Sequence, residues 1–128
     1  MKGEQFIAEV RNLTELESDE NAETAIRTTL ETLRERLAGN EPSNLAAQLP
    51  PEIAPYVEGI GGRETFSVEE FYDRVAHKEG IESEEAAKRA RAVATVLQTA
   101  VTGGELEDLR SQLGNDYKEL FGQTGSSA

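Results

Sequence analysis

The sequence predicts an all-α protein: a helical bundle made of two tandem copies of a helical repeat, about four helices each, packed together. Three observations predict it. The chain matches itself along most of its length, and its apolar residues recur at helical spacing in both copies. No segment alternates apolar and polar residues with the period of two that a half-buried strand requires. With 128 residues there is room for one ordinary domain or two half-sized units, and a unit of about 50 to 60 residues buries too little surface to be stable alone. The copies are therefore expected to share one core.

The self-match is direct. Glu4-Gln5-Phe6-Ile7-Ala8-Glu9-Val10 aligns with Glu69-Glu70-Phe71-Tyr72-Asp73-Arg74-Val75, and Leu16-Glu17-Ser18 with Ile81-Glu82-Ser83 at the same offset. One residue then slips. Beyond the slip Leu33 pairs with Leu97, Leu37 with Val101, Gly39 with Gly103, Glu41 with Glu105, Leu45 with Leu109, and Gln48-Leu49 with Gln112-Leu113. This divides the chain into a first repeat over 1–58, a Gly-rich linker over 59–65, a second repeat over 66–121 and a flexible tail over 122–128.

In each copy the first helix carries a Phe and a Val on one face, Phe6/Val10 and Phe71/Val75. Its start is plainest in the second copy. There Ser67 stands three residues before Glu70, the spacing of a capping box, and Phe66 and Phe71 are placed as a hydrophobic staple. Glu79-Gly80 ends that helix. The second helix is the longest, with Ser18 and Ser83 as N-caps and acidic residues in its first turn, where the helix dipole favours them. Its apolar stripe runs Ala22, Ala25/Ile26, Thr29/Leu30, Leu33, Leu37 in one copy and Ala86, Ala90, Val93, Leu97, Val101 in the other. Gly39 and Gly103 are read as the glycines that close it. A shorter helix follows, carrying Leu45/Leu49 or Leu106/Leu109/Leu113, and then a brief one around 51–57 or 116–121. The stretch Pro50 to Arg63 gathers three of the four prolines and three glycines and reads as the connection between copies. Gly122–Ala128 is a small polar tail expected to be disordered.

Composition narrows the function classes. Apolar residues make up 37% and charged residues 30%, enough for a core and too little charge for a wholly disordered chain. There is no Cys or Trp, which removes disulfides and thiolate chemistry. No apolar run approaches the roughly 18 residues needed to span a bilayer, and the first residues lack the apolar core of a secretion signal; a cytoplasmic protein is expected. A net charge of -12 opposes binding to nucleic-acid phosphates and suits a basic partner.

Catalysis needs converging groups with tuned proton affinities. His77 is the single histidine and sits beside Lys78 and Glu79 at a helix end, the place of a solvated histidine. A di-metal carboxylate bundle needs a Glu-x-x-His pair on two helices, which one His cannot supply. The acidic groups Glu17/Asp19/Glu20, Glu82/Glu84/Glu85 and Glu105/Glu107/Asp108 lack the order of a calcium loop and fall where helix starts are expected. Gly59-Ile60-Gly61-Gly62-Arg63 has no preceding strand and no Gly-Lys-Ser/Thr, so it is not a phosphate loop. Tyr56, Tyr72 and Tyr117 fall on apolar faces. No catalytic residue, metal or cofactor is expected, and an enzyme ranks last among the readings.

The recurring pattern Glu-x-Phe-x-x-x-Val, a long Ala/Leu/Val helix, then Leu-x-Gly-x-Glu or Val-x-Gly-Gly-Glu-x-x-x-Leu-x-x-Gln-Leu, resembles the prokaryotic domain of unknown function 2267. It is carried by Phe6, Val10, Leu33, Gly39, Glu41, Leu45, Gln48, Leu49 and Pro50, and by Phe71, Val75, Leu97, Gly103, Gly104, Glu105, Leu109, Gln112, Leu113 and Phe121. The likeness covers residues 3 to 121 and departs at Asn40-Glu41-Pro42 and at Gly114, where a Pro is usual. It implies a small helical prokaryotic protein and assigns no activity.

Two polar recurrences are not core, turn or cap: Gln48/Gln112 and Glu41/Glu105. A Gln between leucines suits a hydrogen bond to a helix end or to the other repeat, and a Glu at a helix start suits the dipole; a shared binding site is the alternative. With two neighbouring acids they give a candidate interaction surface of Glu41, Gln48, Glu105, Glu107, Asp108 and Gln112. The leading expectation is a non-enzymatic module that presents an acidic surface to a protein partner, with a homodimer open. The alternative is a small-molecule or lipid carrier with a cavity between the repeats; nucleic-acid mimicry is a third.

Overall fold

The computed structural model describes residues 1–122, and the expected tail beyond Gly122 lies outside them. Within that range the chain is all-helical. The helices are α1 (Gly3–Thr14), α2 (Asp19–Arg36) and α3 (Glu41–Ala46), followed by a 3₁₀ turn (Ala54–Tyr56); then α4 (Val68–Glu79), α5 (Ser83–Ala100) and α6 (Gly103–Leu113), followed by a second 3₁₀ turn (Asn115–Glu119). Among the described residues no helix is long and apolar enough to cross a membrane.

The ends of the helices follow local chemistry. Ser18 caps α2, its Oγ accepting from the Asn21 N–H, and Ser67 caps α4 through the Glu70 N–H. Gly80 ends α4 with φ +68, a left-handed conformation that costs a glycine little. Two expected boundaries are corrected. Ser83 is the first residue of α5 rather than its cap, and its hydroxyl donates instead to Asp73 Oδ1 of α4 at 2.6 Å. Gly103 does not close α5: it opens α6, capped by Thr102, whose Oγ1 accepts from the Glu105 N–H. Gly39 does have positive φ, but two residues beyond the Leu37 cap of α2.

Packing interleaves the two halves of the chain. α1 packs on α2 and also on α5, α4 packs on α5 and also on α2, and the two long helices touch each other. The core holds Phe6, Ile26, Leu30, Phe71, Val93 and Leu97, fully or almost fully buried. Below it the second 3₁₀ turn anchors α4. The Val68 N–H donates to Asp116 Oδ2, and the Tyr117 hydroxyl donates to the Phe66 carbonyl while its ring meets Phe71 edge-on.

The Gly-rich connection is built into the fold as a strap over the end of α2. Its Gly61, Gly62, Arg63 and Glu64 N–H groups donate to the carbonyls of Gly39, Arg34, Leu37 and Glu35, satisfying acceptors that a helix C-terminus otherwise leaves to water. The approach is so close that a Cβ on Gly61 would fall on the Leu37 carbonyl oxygen, whereas one on Gly104 would meet nothing within 4 Å. Gly61→Ala is therefore expected to destabilise the protein by about 1–3 kcal/mol through overpacking, and Gly104→Ala to stabilise it by about 0.5–1 kcal/mol as a helix former replaces glycine. Urea unfolding of both variants checks the pair of signs.

Candidate functional site

Five of the six surface candidates gather at the seam where α3 packs on α6. Gln48, just past α3, reaches into the other half and accepts from the Thr102 N–H at 2.8 Å; Gln112 of α6 reaches back and accepts from the Ala38 N–H at 2.9 Å. Each Gln thus pins the residue three positions before the other half's seam glutamate, Thr102 before Glu105 and Ala38 before Glu41. The Gln112 bond lies between half-buried groups and the Gln48 bond in a more exposed place; a hydrogen bond of this kind is worth about 1 kcal/mol when made.

Between the two clamps the glutamates meet. Glu41 is the first residue of α3 and Pro42, with its preset φ, the second, and Glu105 lies in the first turn of α6. Both are nearly buried, at 7% and 6% exposure, and Oε2 of each has no hydrogen-bond partner. One carboxylate oxygen from each of Glu41, Glu105 and exposed Asp108 lies within 4.8 Å of the other two. Burial first, then the facing Glu41 carboxyl and the charge of Asp108, push Glu105 from its ordinary 4.5 to about 8.

The candidate surface is therefore split. Glu107 and Asp108 are exposed, Gln48 and Gln112 are half-buried and hold backbone, and Glu41 and Glu105 are withdrawn from solvent. His77 is exposed on α4, and Asp73, one turn before it, accepts from Ser83. Sequence reasoning missed Thr102, although Thr102-Gly103-Gly104-Glu105 carries the Ser/Thr-x-x-Glu spacing of a helix start. It also missed a polar seam inside the bundle. Thr28 of α2 donates to Glu79 of α4, which is paired with Arg89 of α5 at 2.7 Å, and Lys78 donates to Thr32.

Two surface clefts straddle the halves. The one between α2 and α4, about 300 Å³, is bridged by ion pairs: Arg74 binds Glu35, Glu64 and Glu70, and Lys78 binds Glu35. The one between α1 and α5, about 250 Å³, is lined by Glu9, Asn12, Leu13, Thr95, Val96 and Thr99, with Leu13 54% exposed. A larger cleft of about 680 Å³ lies within the first half, between Met1, Glu4, Ile7, Glu23 and Glu52.

The chain belongs to the family described as "Uncharacterized conserved protein (DUF2267)", whose model matches residues 3–120. No curated protein matches it.

The carboxyl pair makes stability depend on pH in a definite direction. A carboxyl whose folded pKa is raised from 4.5 to about 8 adds stability in full below 4.5, and that contribution declines as pH rises toward 8. In metal-free buffer, wild-type protein is expected to lose urea resistance from pH 5 to pH 8 relative to Glu105→Gln, which has no proton to release there. Parallel pH profiles would show that Glu105 does not titrate in this window.

Proposed function

We propose that the chain is a non-enzymatic interaction module, two copies of one helical unit packed about a pseudo-twofold axis, that binds a basic segment of a partner protein. The two-copy reading is supported by the order of elements, a 12-residue, an 18-residue and a shorter helix followed by a 3₁₀ turn in each half, and by the reciprocal Gln48 and Gln112 contacts. A prokaryotic, cytoplasmic setting accords with the family resemblance and with the lack of cysteine.

The observation that carries the binding reading is the inequality of the two clefts. By the self-match, Arg74, Lys78 and Glu35 in the α2/α4 cleft correspond to Glu9, Leu13 and Thr99 in the α1/α5 cleft. On one side these positions close on one another as ion pairs; on the other they leave a leucine in solvent between hydroxyls and an acid. An apolar side chain flanked by Lys or Arg complements that cleft and the net charge of -12, which steers a basic partner in and opposes a second copy of the same chain. Glu107 and Asp108 extend the acidic surface.

The test compares capture from lysate of the protein's own organism by wild type, Leu13→Lys and the Glu107→Lys/Asp108→Lys pair. A partner with a basic amphipathic segment is expected to elute with salt from wild type, and to bind Leu13→Lys about tenfold or more weakly, the scale of a truncated hot spot. The acid pair reports how far the acidic surface adds to that. Identical capture by wild type and Leu13→Lys, or none by either, overturns the reading.

A further inference from the structure

We propose that Glu41, Glu105 and Asp108 form a binding site for one hard divalent cation at the seam between α3 and α6. The site lies apart from the α1/α5 cleft that carries the partner-binding reading and shares with that reading only Asp108, on its acidic edge.

The geometry fits such an ion. One oxygen from each carboxylate lies within 4.8 Å of the other two. Two oxygens on opposite sides of a Ca²⁺ stand about 4.6–5.2 Å apart, given metal–oxygen distances of about 2.3–2.6 Å. The three carboxylates are therefore close enough to share one ion once their side chains draw in around it. All three ligands are carboxylates, the donor type that selects Ca²⁺, Mg²⁺ or Mn²⁺ over softer metals. Asp108 lies at the exposed edge, leaving a path for the ion and for the waters that complete its shell.

A second observation separates this group from the acids that line ordinary helix starts. Glu41 and Glu105 are more than nine-tenths buried, and Oε2 of each has no hydrogen-bond partner. None of the ion pairs among the described residues involves either of them. Buried acceptors of this kind are costly unless paired or bound to metal, and a dipole contact from a helix start acts on exposed acids without burying them. A cation supplies a partner to both at once, in place of the proton through which the facing carboxyls otherwise meet. The site is also held in shape beforehand: the Gln48 and Gln112 clamps fix the backbone three residues before each glutamate, and Thr102 caps the turn that carries Glu105. Neighbouring Glu107 shares the charge of the region but not the cluster, so it serves as a control.

Mn²⁺ binding to the full chain is read by loss of the free-ion EPR signal, and Ca²⁺ and Mg²⁺ by thermal unfolding against chelator, all in about 0.1 M KCl, where the Debye length is about 10 Å and diffuse attraction is screened. The expected result is saturation at one Mn²⁺ per chain and a rise of a few degrees in Tm with millimolar Ca²⁺. Binding should weaken about tenfold or more in Glu105→Gln and in Asp108→Asn, through loss of one charged ligand, and persist in Glu107→Gln. Circular dichroism shows that the variants fold; Glu105→Gln replaces one of the two buried carboxyls with a neutral amide that can donate to Glu41, and is expected to be at least as stable as wild type without metal. Absence of saturable binding by wild type overturns the site and leaves a carboxyl pair that holds a proton. Binding that falls equally in Glu107→Gln overturns it in favour of a diffuse acidic surface.

Discussion

The two long helices bury more surface than either half of the chain can cover. Along α2, Ala22, Ile26, Leu30 and Leu33 form one buried stripe and Thr28 and Thr32 another; α5 buries Ala86, Ala90, Val93 and Leu97 together with Ala92 and Val96. A single amphipathic stripe can be satisfied by one neighbour, but a helix buried on two sides needs two. The second neighbour comes from the other half, α4 for α2 and α1 for α5. Neither half can keep its long helix out of water alone, which is the physical form of the size argument that a unit of about 50 to 60 residues is marginal.

Interleaving of this kind forces polar groups into the seams, and each seam answers differently. Between α2 and α4 two buried threonines find partners: Thr28 reaches Glu79, whose side chain is 1% exposed and paired with Arg89, and Thr32 receives Lys78. Loss of one member of a buried pair typically costs about 3–5 kcal/mol, and Glu79 without Arg89 would keep a buried charge with no ion-pair partner. Between α3 and α6 the Gln side chains take over the same task with backbone partners. A glutamine suits that role because its carbonyl reaches a backbone N–H from the end of a flexible stem while carrying no charge to desolvate.

Helical periodicity, caps and the internal match made much of this legible in advance. The stripe on α2, the Ser67 cap, the Phe66–Phe71 staple and the stop at Gly80 are all local, set by residues within two turns of one another, and local rules suffice for them. What stayed hidden was non-local. Ser83 has the spacing of a cap, yet its hydroxyl goes to Asp73 on the neighbouring helix. Gly103 has the look of a helix stop only until Thr102 is seen to start the next helix. The six candidate residues were picked out because they recur without an apolar reason. Recurrence could not say that the two glutamates face each other across the seam, because that depends on how one half is turned against the other.

The burial of Glu41 and Glu105 is not something the fold requires. The seam is already fixed by Gln48 and Gln112, α6 is already capped by Thr102, and Leu45, Leu109 and Leu113 already supply the apolar contact nearby. At such positions an apolar or amide side chain would avoid both the desolvation of a carboxylate and the repulsion of a second one. Two acids held together with orphaned oxygens therefore raise the energy of the seam when it holds nothing, and they lower it only when a positive species, a proton or a metal ion, sits between them. The same clamps that stop the helices parting to relieve the repulsion keep the carboxylates in place for that species.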